Sequence, residues 1–165
     1  YVRDKDAVNG AFLICEMFAY YKTQGISLID KLNSLYEKYG YYKDDVKAIT
    51  LKGIEGLAKI QEIMTTLRDN TPAQIGEHKV LKARDYKKDT ITDLETGAVT
   101  PTGLPNSNVL YYELPDAAWV CFRPSGTEPK LKFYYGVKAD SMEAADAKAA
   151  ELGAAVMAIV EPMLG

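Results

Sequence analysis

The residues at 123–130 combine the chemical groups that bind an oxyanion. They read Arg-Pro-Ser-Gly-Thr-Glu-Pro-Lys, with a cation at each end and two hydroxyls around the glycine. A phosphate site needs backbone N–H groups in a concave turn, hydroxyl donors and a guanidinium or ammonium group. This stretch therefore predicts a phosphate-binding loop.

Four members of the loop are expected to contact the anion. Arg123 can bind an oxyanion through two parallel hydrogen bonds. Ser125 and Thr127 offer hydroxyl donors. Gly126 allows the positive φ angle that lets successive N–H groups converge.

The other loop residues are expected to shape it or to add charge. Pro124 and Pro129 stiffen its two shoulders, so that less entropy is lost on binding. Glu128 would repel a phosphate, and we expect it to pair with a neighbouring cation or to bond backbone amides. Lys130 and Lys132 share one face of the strand that follows, and we expect both to reach the anion.

Alternating and apolar runs at 109–114, 118–123 and 131–137 predict three strands, which makes the loop the connection between the last two. The alternative is an ordinary hairpin, because Ser-Gly-Thr alone is common in turns. The full octapeptide between two strongly patterned strands is more specific.

The remaining patterns predict an α+β chain with a mostly antiparallel sheet of four to five strands and two helices on one of its faces. Further strands are predicted at 46–51 and 79–83, polar loops at 85–97 and 100–107, and helices at 7–21, 28–39, 53–67 and from Asp140 onward. The last helix has an apolar spacing that fits a coiled-coil seam or packing on a sheet, and we favour the sheet.

The chain is predicted to contain two parts. Residues 1–40 form the C-terminal helices of a truncated α/β domain, and 41–165 form one phosphate-binding domain. The first helix is apolar on nearly all faces, which is typical of a buried helix. Residues 38–45 are predicted to be a hinge. The tyrosines at 36, 39, 41 and 42 are interpreted as boundary packing or, alternatively, as a stacking platform.

Composition excludes several classes of function. The formal charge of −3 and a pI near 5.3 argue against general nucleic-acid binding. No apolar run is long enough to span a bilayer. Cys15 and Cys121 are expected to be buried free thiols in a reducing, cytoplasmic compartment. His78 is the single histidine, expected to be solvated, and there is no metal-ligand spacing.

Residues 123–134 resemble the phosphate-binding loop of the C-terminal domain of the α-D-phosphohexomutases. This superfamily includes phosphoglucomutase, phosphomannomutase and phosphoglucosamine mutase. Residues 103–110, Gly-Leu-Pro-Asn-Ser-Asn-Val-Leu, are similar to the segment before that loop. Residues 2–8, Val-Arg-Asp-Lys-Asp-Ala-Val, are similar to the stretch after the sugar-binding loop of the third domain.

The resemblance implies a role for individual residues. Arg123, Ser125, Gly126 and Thr127 match the grip on the phosphate that is not reacting. Lys132 stands where several relatives have an arginine, so the two-pronged contact is given up. Lys5 matches a lysine that lies near the substrate and assists proton transfer.

The resemblance also implies the reaction of an intact parent: interconversion of hexose 1-phosphate and 6-phosphate, with glucose expected over mannose. A phosphoserine, an Mg²⁺ ion and a bisphosphorylated sugar intermediate would take part, and the loops that supply them are absent from this sequence. The chain alone is therefore expected to be inactive, with a phosphosugar and the remaining domains as its partners. The alternatives are a non-catalytic anion-binding module and, within the family, a phosphomannomutase, phosphopentomutase or sugar-bisphosphate synthase.

Overall fold

A computed structural model describes residues 2–164, and the chain divides between Gly40 and Tyr41 into two compact units. In the described part, the helices are α1 (Ala7–Thr23), α2 (Leu28–Tyr39), α3 (Gly53–Asp69) and α4 (Met142–Val160). The strands are β1 (Tyr41–Thr50), β2 (Gln74–Ile75), β3 (His78–Lys79), β4 (Lys82–Asp85), β5 (Thr90–Asp93), β6 (Val99–Thr100), β7 (Leu110–Glu113), β8 (Trp119–Pro124) and β9 (Lys130–Ala139).

The first unit holds α1 and α2, and local side chains start both helices. The Asp6 carboxylate accepts the Asn9 N–H at 2.9 Å. The Ser27 hydroxyl accepts the Asp30 N–H at 3.0 Å, and the spacing of these two residues is that of a capping box. Gly40 ends α2 with a φ of +101°, a value that suits glycine.

Within residues 2–164, α1 lacks the cover that its apolar pattern calls for. No residue of α1 or α2 is buried, and Phe12 and Phe18 are more than half exposed. Cys15, on the same helix, is also exposed. The first unit contains one other helix, α2, and a single helix cannot cover all sides of α1. The apolar side chains of α1 therefore form an apolar surface.

The second unit is built on an antiparallel sheet in the order β1-β9-β8-β7-β4-β5-β6, with a separate β2–β3 pair. This confirms the predicted α+β class. The large sheet has seven strands, more than the four to five expected. The two additional strands are β5, which lies in the segment at 85–97 predicted as polar and turn-rich, and β6, which lies at the start of the predicted Pro/Gly loop at 100–107. Both are short and contain threonine, and the pairing of β5 with β4 and of β6 with β5 decides their structure.

Most of the predicted hinge at 38–45 is a paired strand. Tyr41 lies opposite Ala139, and Asp45 lies opposite Tyr135, in the β1–β9 ladder. β1 therefore starts five residues before the predicted position, and Gly40 alone separates it from α2.

The core of the second unit lies between one face of the sheet and α3 and α4. Leu131, Phe133 and Tyr135 of β9 are buried, as alternation predicted. α4 packs on β1 and β9, which confirms helix-on-sheet packing. The helices add Ile60, Ile63, Met64, Leu67, Ala145, Ala149, Leu152, Val156 and Val160 to this core.

Two details of these helices differ from expectation. Ser141, rather than Asp140, caps α4, because its hydroxyl accepts the Ala144 N–H at 3.1 Å. In α3, the apolar side chain of Ile54 is 86% exposed, and Gly56 is the first buried residue of the helix. Across residues 2–164, no helix has the length and apolarity required to cross a bilayer.

Candidate anion-binding site

The predicted loop at residues 125–129 connects β8 to β9, and backbone hydrogen bonds hold it at both shoulders. The Ser125 N–H donates to the Lys130 carbonyl at 2.8 Å. The Leu51 N–H donates to the Pro129 carbonyl at 2.9 Å, which ties the loop to the residue that follows β1. The loop is thus anchored to two separate parts of the chain.

Arg123 and Lys132 are direct partners across the β8–β9 ladder. The neighbouring pair, Phe122 and Phe133, is buried in the core, so alternation places Arg123 and Lys132 on the opposite face. Two like charges directly opposite each other destabilise a sheet. Neither cation takes part in an ion pair within residues 2–164, so an anion between them would relieve the repulsion.

A cavity of about 180 Å³ brings these two cations together with the start of the loop. Its lining consists of Arg123, Pro124, Ser125, Gly126, Lys132 and Tyr134. Thr127 and Lys130, which were also predicted to contact the anion, are not among these lining residues. The cavity therefore combines four of the six predicted contact residues.

Ser125 can shape the loop and still donate to a ligand. Its Oγ lies 3.4 Å from the Thr127 nitrogen and 3.3 Å from the Glu128 nitrogen, so it accepts from loop amides. A hydroxyl has one proton to donate besides the lone pairs that accept. The Ser125 O–H remains able to point into the cavity.

Glu128 lies against a cation of its own loop. Its Oε2 is 3.3 Å from the Lys130 Nζ. This pair is partly exposed, so its contribution to stability is small. Its main effect is local, because it offsets the carboxylate charge beside the site and directs the Lys130 ammonium toward Glu128.

Gly126 does not use the positive φ that glycine allows. The glycines with positive φ in the described chain are at 25, 40, 53, 76, 97 and 103. A Cβ placed on Gly126 would meet no atom within 4 Å. Neither backbone strain nor packing within this chain requires glycine here. The open space suits close approach of a ligand to the backbone.

Cys121 lies two residues before Arg123 and on the same face of β8. It is a free thiol of intermediate exposure. Burial raises the pKa of Cys121 to about 11, while the positive charge of Arg123 acts in the opposite direction. The thiol is therefore protonated at neutral pH and is a poor nucleophile.

Lys5 belongs to the first unit. Its Nζ lies 3.3 Å from the Asp4 Oδ1, and its side chain is 97% exposed. Among residues 2–164, no group of three or more His, Cys, Asp or Glu side chains is arranged to hold a metal ion.

Sequence reasoning missed two residues beside the loop, Gln61 of α3 and Asn108. Both line a second cavity of about 340 Å³ that also includes residues 123–126. Asn108 lies in the segment whose similarity to the mutases was noted, and this was the one available signal for it. Gln61 is a polar residue on a helix surface, a position that carries no sequence signal.

The chain has recognisable relatives, although no model of a known protein family matches it. It is 38% identical over 138 residues to a phosphoglucomutase of Staphylococcus aureus strain MRSA252, a match that covers 84% of this chain and 25% of that protein. A phosphoglucomutase of Staphylococcus epidermidis is 34% identical over 143 residues, which cover 87% of this chain and 26% of that protein. The chain is a phosphohexomutase homologue.

Structural similarity points to the same fold. A crystal structure of the exocytosis-sensitive phosphoprotein pp63/parafusin, a phosphoglucomutase from Paramecium in its open form, superimposes with a TM-score of 0.54. The identity is 16%, and the match covers 98% of this chain and 28% of that one. At this identity the match supports the phosphohexomutase fold alone. The chain spans about a quarter of the length of the curated phosphoglucomutases that it matches.

Proposed function

We propose that this chain is the C-terminal, phosphate-holding part of a phosphohexomutase that interconverts glucose 1-phosphate and glucose 6-phosphate. The observation that carries the proposal is the cross-strand pair Arg123 and Lys132, which lines one cavity with Ser125 and Gly126. The curated relatives named phosphoglucomutase support the choice of glucose.

The cavity supplies the groups that a phosphate dianion needs. Arg123 contributes a fork of N–H donors, Lys132 a compact positive charge and Ser125 a hydroxyl. A hydrogen bond to a charged group contributes about 1.5–3 kcal/mol. Binding energy gained at the distal phosphate orients the reacting end of the sugar.

The rest of the chemistry is assigned to other parts of the parent protein. These would supply the phosphoserine, the aspartates that bind Mg²⁺ and the loop that reads the sugar hydroxyls. A sugar bisphosphate would be the intermediate and activator. Lys5 would assist proton transfer near the substrate. The chain by itself would bind phosphosugars without converting them.

The apolar surface of α1 fits the same proposal. Phe12 and Phe18 are exposed in this chain, and a surface of this kind marks an interaction site. In the parent, the remainder of an α/β domain would cover it. The exposed helix is then the end of the sugar-binding domain.

The direct test is an assay of the full-length parent with glucose, mannose, glucosamine and ribose phosphates. Glucose phosphates should give the highest kcat/KM, and Arg123→Gln should lower kcat/KM for all substrates. For the chain itself, NMR titration with inorganic phosphate should shift the amide signals of residues 125–127. A parent without mutase activity, or unmoved amides at millimolar phosphate, would contradict the proposal.

A further inference from the structure

A partly buried hydrogen-bond network, centred on Arg68, reaches the second cavity beside the loop. The Arg68 guanidinium is 7% exposed and donates from Nε to the Asp85 Oδ2 at 2.9 Å. Its Nη2 donates to the Asn108 Oδ1 at 2.7 Å, and its Nη1 to the Met64 carbonyl at 3.2 Å. Asp85 thus fixes the guanidinium, and the guanidinium in turn fixes Asn108.

This contact decides which end of the Asn108 amide faces the cavity. A guanidinium has donors and no acceptor. Asn108 can therefore meet Arg68 only through its carbonyl oxygen, and its NH₂ group must lie on the other side. The orientation of the Asn108 amide therefore follows from the chemistry of the pair.

The same constraint passes on to Gln61. The Asn108 Nδ2 donates to the Gln61 Oε1 at 3.2 Å, which occupies the acceptor end of that amide. Each amide is then left with N–H groups to offer: one on Asn108 and two on Gln61. Within residues 2–164, no protein acceptor takes the Gln61 N–H groups.

We propose that Asn108 and Gln61 form a donor wall that binds acceptor oxygens of the phosphosugar held at the loop, with Arg68 as the residue that orients them. The inference rests on the proposed function and extends it to residues of α3 and of the segment before β7. The cavity of about 340 Å³ that these residues line shares Arg123, Ser125 and Gly126 with the phosphate cavity. A ligand oxygen beside Arg123 would thus have the two amides within the same enclosure.

Asn108→Asp separates binding from folding. The replacement keeps an oxygen toward Arg68 and turns the donor end into a negative acceptor. The chain should stay folded, with an unfolding midpoint in urea at least as high as that of the unmodified chain. Its Kd for glucose 6-phosphate or inorganic phosphate should rise about tenfold or more, which corresponds to about 1.4 kcal/mol.

Two further variants control for charge. Gln61 is exposed, and Gln61→Met removes its free N–H donors without adding a charge. This variant should also bind phosphate and glucose 6-phosphate more weakly. Asn70→Asp adds the same charge at the end of α3, away from both cavities, and should leave Kd within about twofold. Repeating the titrations in about 1 M salt screens long-range charge effects, and the loss in Gln61→Met should persist.

Parallel titrations with phosphate and glucose 6-phosphate show which oxygens the wall binds. If the variants lose affinity for both ligands, the donor wall binds the phosphate oxygens. If they lose affinity for glucose 6-phosphate alone, the donor wall binds the sugar hydroxyls. One result would overturn the donor wall and leave the proposed function intact. In that result, Asn108→Asp and Gln61→Met leave the Kd values for both ligands unchanged, whereas Arg123→Gln abolishes binding. No binding by the unmodified chain would overturn both.

The orienting role of Arg68 has its own test. Arg68→Lys keeps the charge beside Asp85 but loses the fork that holds Asp85 and Asn108 together. Its binding loss should not add to that of Asn108→Asp in the double variant, because Arg68 acts through Asn108. Additive losses would assign Arg68 a separate effect and overturn its orienting role.

Discussion

Arg123 and Lys132 are cross-strand partners that line one cavity, and neither has a counter-ion within residues 2–164. Holding two cations in register costs stability, since like charges opposite each other repel. A bound anion would remove that cost and stabilise the fold. Affinity for phosphate and resistance to unfolding are therefore coupled at this pair, and substitutions should change them in opposite directions.

The first prediction concerns the charge of Lys132. Lys132→Gln should raise the free energy of unfolding by up to about 1 kcal/mol, because it removes the repulsion with Arg123. The same change should weaken phosphate binding. Urea unfolding and a phosphate titration on one sample set measure both. Lys79→Gln on β3 is the matched control and should change neither; a loss of stability in Lys132→Gln would count against the repulsion.

The second prediction concerns the shape of the same cation. Lys132→Arg keeps the charge and adds a planar fork that can bind two phosphate oxygens. Phosphate should bind more tightly, by up to about tenfold. Calorimetric titration measures the change. Weaker binding would indicate that the cavity has no room for a second guanidinium beside Arg123.

The third prediction compares two glycines. Gly126→Ala should change the free energy of unfolding by less than about 0.5 kcal/mol, because a Cβ there meets no atom within 4 Å. It should nevertheless weaken phosphate binding, because the methyl group occupies space in the cavity. Gly136→Ala should cost about 1–3 kcal/mol, because its Cβ would overlap the side chains of Asp44 and Trp119. Equal phosphate affinity in Gly126→Ala would place the ligand elsewhere.

The fourth prediction follows from the Cys121 thiol. Its pKa is raised from 9.0 to about 11 by burial, so between these values the unfolded chain loses a proton that the folded chain keeps. The contribution of Cys121 to stability is therefore present below pH 9 and falls as the pH rises toward 11. Urea unfolding from pH 7 to 10.5 should show this decline, and Cys121→Ala should reduce its slope.

Thiol labelling at pH 8 should modify Cys15 well before Cys121, and rapid modification of Cys121 would contradict its burial.

The fifth prediction separates the two units. Residues 2–40 include no buried residue in α1 or α2, whereas residues 41–164 have their own core. Hydrogen exchange should therefore be fast in α1 and α2 and slow in β8 and β9, since protection follows burial. A fragment of residues 41–165 should fold with an unfolding midpoint close to that of the full chain. Slow exchange in α1 would show that the helix is covered, by self-association or otherwise.

The strands that form the site could be predicted from the sequence because their signal is local. Residues 131–137 alternate between apolar and polar side chains, and residues 118–123 form an apolar run, so pairing them across a short loop followed directly. The length of that loop fixes which residues of the two strands lie opposite each other, and it therefore pairs Arg123 with Lys132. The capping of α2 by Ser27 could be predicted for the same reason.

Features that depend on distant parts of the chain could not be predicted in this way. Asn108 is 40 residues from Arg68, and nothing near either residue signals their hydrogen bond. β5 and β6 are polar, and their structure depends on the strands beside them. Gly126 does not adopt a positive φ, since glycine permits such values without requiring them. The apolar pattern of α1 indicates that the helix needs cover, but it does not identify what covers it.

The hydrogen bond from the Leu51 N–H to the Pro129 carbonyl extends the pairing of β1 with β9 as far as the loop. β1 begins directly after Gly40 and has ten residues, so it is about 33 Å long at about 3.3 Å per residue. All ten residues of β1 pair with β9, the strand that carries Lys132. The position of the loop relative to Lys132 is therefore set by this ladder, and a torsional change at Gly40 would leave it unchanged.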